Sequence, residues 1–210
     1  MNNKRGKLIV FEGGEGSGKT TISGMVYEWF RDHQIPVIKS REPGGVKISE
    51  EIRKIILDNE MDPLTELFLY EAARREHYLK VIKPALDNGK VVILDRFIDS
   101  TTAIQGHARG VDVALVDRLN RKSTNNEVVD MVFVLSIKPE TALKRIKENN
   151  RETNRFDNYD LDFHNAVNEA LEFECETNNL NHTLIDVNDL SIDEVFSKVI
   201  EVITDEQLDR

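Results

Sequence analysis

Cysteine is nearly absent from this sequence. Cys175 stands alone, so no internal disulfide can form and no cysteine cluster can hold a metal. The expected setting is therefore reducing and cytoplasmic. Long apolar runs are missing too, since none approaches the roughly 18 residues that span a bilayer. The apolar stretch "KLIVF" at 7–11 is short and runs into glycine and glutamate, so it reads as a strand and not a secretory leader. Proline is scarce, and no repeat or low-complexity tract divides the chain, so a single domain over 1–210 is expected. Positive charge is in deficit: 28 Lys and Arg against 38 Asp and Glu leave a net charge of -10. Such a surface repels nucleic-acid backbones and anionic membranes, and neither is an expected partner. It would repel nucleotides as well, unless arginine and lysine gather in one cleft.

Apolar runs of strand length alternate with segments of helical period. Strands are expected at 7–11, 36–40, 91–95, 131–137 and 183–187. Helices are expected at 20–33, 48–59, 140–150, 161–178 and 191–204, with one long helix or two over 63–89 ended by Asn88-Gly89. Alternation of this kind demands crossover connections. The predicted fold is α/β, three layers, with a parallel sheet flanked by helices.

Directly behind the first strand stands "FEGGEGSGKTT". Its Gly13-x-x-x-x-Gly18-Lys19-Thr20 spacing fits the phosphate-loop pattern G-x-x-x-x-G-K-S/T. In such a loop the backbone N–H groups of Gly13, Gly14, Glu15, Gly16, Ser17 and Gly18 converge on one point, and the following helix adds positive potential. Lys19 is placed to reach the terminal phosphates and Thr20 to ligate Mg²⁺. A second strand, "VVILD", ends in Asp95, where phosphate-loop proteins keep an acid for the metal shell. No N-K-x-D stretch is present, which argues against a guanine-nucleotide switch. A small-molecule kinase needs a second, arginine-lined phosphate site, and Arg41, Arg53, Arg74, Arg75 and Arg96 fall near strand ends or on nearby helices. It also needs a flap that closes over the transferring group. The polar segment at about 148–160 offers one, with Arg151 and Arg155. His77 and Trp29 are read as packing residues.

The order of "FEGGEGSGKTT", "REPGG" (41–45), "ARREH" (73–77), "DRFIDSTTAIQGHARG" (95–110) and "NRFD" (154–157) resembles that of the bacterial thymidylate kinases. The resemblance covers residues 7 to about 200. It implies a phosphate-loop nucleoside monophosphate kinase with a short lid, moving the γ-phosphoryl of ATP to dTMP with Mg²⁺, as a homodimer. By position, Glu15 matches the acidic loop residue near the sugar, and Glu42 an acid near metal and acceptor. Arg53 and Arg96 match the arginines on the acceptor phosphate. Arg74 matches the one on the thymine ring, Tyr70 the stacking aromatic, and Thr101 and Gln105 the polar groups around the base. The loop's variable positions hold no arginine, which assigns the catalytic arginine to Arg151 or Arg155. Ile104, Tyr70, Glu71, Phe97 and Val129 depart from the family pattern, at positions that bear on sugar and base and not on phosphate. Kinases of other deoxynucleotides, and a regulator without transfer activity, stay open as alternatives. Helix 48–59 and segment 63–83 are the candidate dimer surfaces.

Overall fold

The computed structural model describes residues 5–148, 156, 159–177 and 181–205. Its described strands form one five-stranded sheet in the order β2-β3-β1-β4-β5, with every pairing parallel. They run β1 Leu8–Gly13, β2 Val37–Arg41, β3 Val91–Asp95, β4 Met131–Ser136 and β5 His182–Asp186. The central strands β1 and β3 are buried along their whole length, which is why their sequences read as continuous apolar runs.

Two cores lie on opposite faces because alternate strand residues point opposite ways. Ile9, Phe11, Ile93 and Phe133 face α1 (Lys19–Asp32) and α9 (Ile192–Asp205). Leu8, Val10, Val92 and Val132 face Tyr78, Ile82 and Leu86, together with Val167 and Leu171 of α8 (Leu161–Thr177). Trp29 joins the first core only partly buried.

The other helices are α2 Lys47–Asp58, α3 Pro63–His77, α4 Lys83–Asp87, α5 Ile98–Thr101, α6 Val113–Ser123 and α7 Pro139–Glu148. Pro63 opens α3, and the Asp62 carboxylate caps it by accepting from Leu64 N at 2.9 Å and Thr65 N at 3.2 Å. Of the one or two helices expected over 63–89 the structure has two, α3 and α4, joined by a widened π-type turn at Tyr78–Ile82. The region after β3 carried no helical reading in the sequence. It contains α5, a second widened turn at Thr102–Ala108, and α6. Its short apolar groups, interrupted by Gly106 and Gly110, hide the 3.6-residue period. Widened turns of this kind recur at functional sites, and this one carries Ile104 and Gln105 into the cleft.

Because all strands are parallel, the loops after β1, β2 and β3 open on one edge of the sheet. That edge is where open α/β sheets bind ligands.

Candidate active site

The loop Gly13–Gly18 leaves β1 and winds into α1. Gly16 takes φ 77°, and a Cβ there would come within 2.9 Å of the Ala142 carbonyl oxygen, so backbone passes backbone at this point. Lys19 is buried, with Nζ donating to Gly14 O at 3.0 Å and 3.9 Å from the Glu15 carboxylate. Burial, then the Arg96 charge, holds its ammonium below the ordinary lysine value. The Thr20 hydroxyl donates to Asp95 Oδ2, which brings the ends of the phosphate loop and of β3 together.

Arg96 follows Asp95 with φ 70°, a left-handed conformation rare for a non-glycine residue. Its guanidinium donates to Glu15 Oε2 at 2.9 Å, Gly13 O at 3.2 Å and Ser100 Oγ at 3.1 Å. Underneath lies Glu12, fully buried at the end of β1. Its carboxylate accepts from Phe97 N at 2.7 Å, from Ser100 N at 3.2 Å and from the Ser100 hydroxyl. Glu12 thereby fastens the turn that aims Arg96. Burial and then the neighbouring Asp99 push its carboxyl up to about 7, against those donors. Sequence reasoning passed over Glu12, although a carboxylate inside an apolar strand was a legible signal.

Across the cleft, the "REPGG" loop follows β2. Gly45 has φ 83°, and a Cβ there would meet the His77 ring at 2.3 Å. His77 is fully buried, with Nδ1 3.0 Å from Glu42 Oε1 and Nε2 2.8 Å from Ser40 Oγ, so it ties α3 to the end of β2 and the loop after it. Glu42 accepts from Arg74 Nε at 2.7 Å through its other oxygen. Burial pushes this carboxyl up, but Arg74 and His77 outweigh it and hold it below the ordinary carboxylate range.

Arg74 is the largest fully buried side chain, and each of its five N–H groups has a protein acceptor. Those acceptors are Glu42, Glu71 Oε1 at 2.6 Å, Asn120 Oδ1 at 2.7 Å, Phe97 O at 3.1 Å and Thr101 Oγ1 at 2.7 Å. Glu71, a departure from the family pattern, is thus a second carboxylate on one buried guanidinium.

A cleft of about 330 Å³ joins these parts. Lys19, Thr20, Asp95 and Arg96 line it together with Glu42, Arg53, Tyr70, Arg74, Thr101, Ile104 and Gln105. Arg53 donates to Pro43 O at 3.1 Å, and burial followed by Arg41 holds its guanidinium below the ordinary value. Arg75 does not line the cleft. It leaves α3 on another side, to Ser123 O and Asn125 Oδ1, because helical neighbours point about 100° apart. Arg151 and Arg155, with most of the expected lid at 148–160, lie outside the described residues.

A sequence profile described as thymidylate kinase matches residues 11–199. The chain belongs to the thymidylate kinase family. It is 47% identical over 170 residues to a thymidylate kinase of Clostridium novyi (strain NT), covering 79% of this chain and 83% of that one. A thymidylate kinase of Halalkalibacterium halodurans is 40% identical over 203 residues, covering 95% and 96% respectively. The crystal structure of thymidylate kinase from Ehrlichia chaffeensis superposes with a TM-score of 0.78 at 31% identity, over 95% of this chain and 99% of that one. The five-stranded parallel sheet with its flanking helices is the phosphate-loop nucleoside monophosphate kinase fold of the thymidylate kinases.

Proposed function

We propose that this member of the thymidylate kinase family transfers the γ-phosphoryl group of ATP to dTMP, giving dTDP and ADP, through the residues gathered in the cleft. The observation that carries the assignment is the meeting of Lys19, Thr20 and Asp95 with Arg96 and Arg53 in a single cleft. A triphosphate and a monophosphate can approach each other there from two sides.

The backbone of Gly13 to Gly18 cradles the ATP phosphates, and Lys19 turns from the Gly14 carbonyl toward the terminal ones. Arg96 and Arg53 hold the acceptor phosphate, and Glu15, paired to Arg96, lies toward the sugar. Tyr70 stacks on thymine. Thr101 and Gln105 meet the base edge, and Arg74 reaches the ring beside Thr101, whose hydroxyl is the acceptor a base carbonyl replaces. Glu42, expected near the metal, has one oxygen on Arg74 and the other on His77, and so acts on the site through Arg74. The nucleophile is an anionic phosphate oxygen, so no strong general base is required. Charge developing on the γ oxygens is met by an arginine of the lid, Arg151 or Arg155, brought in on closure.

The donor set suits Mg²⁺. This ion keeps several waters and binds through one or two protein oxygens plus substrate phosphates. Thr20 Oγ1 and Asp95 Oδ2, already in contact, supply hard oxygen donors at the loop, and no larger cluster of metal-ligating side chains occurs among the described residues. Bound there, Mg²⁺ would neutralise charge on the transferring phosphates.

The working form is a cytoplasmic homodimer. Among the described residues, Cys175 is a buried free thiol and no helix is long and apolar enough to cross a membrane. Ile48 and Ile55 on α2, and Phe68 and Leu79 on and just after α3, leave apolar surface exposed. The deciding experiment is a coupled assay of ADP formation with a panel of nucleoside monophosphates. dTMP should give the highest kcat/KM, and equal rates with purine nucleotides would sink the assignment.

A further inference from the structure

We propose that Glu66 is a positioning residue that sets base specificity by fixing which way the Gln105 amide faces. The inference rests on the reading above that Gln105 meets the base. Glu66 lies on α3, fully buried, and lines no part of the cleft. Its Oε1 accepts from Gln105 Nε2 at 2.9 Å. Its Oε2 is 3.7 Å from Arg109 Nη2, a cation that compensates the buried carboxylate. Arg109 is itself held in place, donating to Met61 O and to the Tyr159 hydroxyl, each at 3.0 Å.

A glutamine side chain is two-faced. Turned one way it offers an oxygen acceptor, and turned the other way two N–H donors. Beside an amide or hydroxyl partner both orientations find a hydrogen bond. Beside an ionised carboxylate only one does, because that group accepts and never donates. Glu66 therefore draws the NH₂ end of Gln105 to itself. Gln105 Oε1 is left buried with no protein partner, on a side chain that lines the cleft.

A buried acceptor in want of a donor selects its ligand. Thymine and uracil carry an imide N3–H that satisfies it. Cytosine presents a bare N3 lone pair at the same edge, which leaves two acceptors facing each other. Sites built around a buried polar group reject the unmatched analogue far more strongly than apolar pockets do.

The test is kcat/KM for dTMP, dUMP and dCMP in the wild-type enzyme, Glu66→Gln and Gln105→Leu, each checked for folding by its thermal melt. Glutamine at 66 can donate or accept, which frees the Gln105 amide to turn over. The dTMP-to-dCMP ratio should then fall by about 10-fold or more, while the dTMP-to-dUMP ratio holds, since both bases carry the imide proton. Should Glu66→Gln fail to fold, Glu66→Met removes the same acceptor without leaving a polar group to bury, and carries the same expectation. An equal loss on dTMP and dCMP in the Glu66 variant would reduce Glu66 to packing and overturn the proposal. If Gln105→Leu collapses the ratio while the Glu66 variant keeps it, orientation by Glu66 alone is wrong. If Gln105→Leu leaves the ratio intact, Gln105 does not read the base, and the underlying assignment fails with it.

Discussion

Lys19 and Glu12 stand seven positions apart, one on either side of the glycine loop, and burial acts on them in opposite ways. Lys19 donates to the Gly14 carbonyl while burial holds its ammonium below the ordinary lysine value. Lys19→Ala should lose on the order of 10²-fold or more in kcat, because it removes a donor to developing charge. Its melting temperature should stay close to that of the parent, and near-normal turnover would remove the phosphate-loop assignment. Glu12 is a different test. Its folded value of about 7 lies above the ordinary 4.5, so the protonated form stabilises the fold. That contribution is complete below the ordinary value and is lost as pH rises through about 7. From about pH 5.5 to about pH 8 the loss amounts to roughly 2 kcal/mol. Glu12→Gln, which cannot ionise, should flatten this part of the stability profile in urea titrations. A mutant profile as steep as the parent's would place the titrating group elsewhere.

At the scale of elements, the cleft is built from the ends of β1, β2 and β3 and closed on one side by α7 and α8. Phe163 of α8 packs against Tyr159, with ring centroids 4.3 Å apart and the planes tilted by 34°, and Arg109 lies over the Tyr159 ring at 5.6 Å. The chain leaving the expected lid is therefore tied to the turn that carries Gln105. In the reaction proposed above, a lid arginine would reach ATP from this anchored stem. Of Arg151→Ala and Arg155→Ala, the catalytic one should lose kcat while KM for dTMP stays within about twofold, as for a contact made mainly in the transition state. Full kcat in both variants would move the catalytic cation elsewhere in the chain.

Over the whole molecule, Ile48, Ile52 and Ile55 recur at helical spacing on α2, and Phe68 projects from α3 with 53% of its surface exposed. Apolar surface repeated along two packed helices suits a second copy of the chain. Phe68→Glu should convert a dimer to a monomer in sedimentation velocity, and a parent that sediments as a monomer would end the proposal. Much of this protein was legible before its structure. The alternation of apolar runs and helical periods set the α/β class, because a strand buried on both faces cannot disguise its composition. The phosphate-loop pattern was legible too, since its glycines stand in one short stretch between β1 and α1. Other parts were hidden for physical reasons. The helices after β3 contain a widened turn that breaks the 3.6-residue period. Arg75 and Arg74 look alike in sequence, and only the rotation of α3 sends one to the outside and the other into the core. Glu12 reads as a carboxylate at the end of an apolar run whose partner the sequence does not name, Glu66 as an ordinary charge in an acidic chain, and Glu71 only as a departure from the family pattern. Their partners, Ser100, Gln105 and Arg74, are chosen by the packing of elements, so which carboxylates the fold buries, and against what, was decided only by tertiary structure.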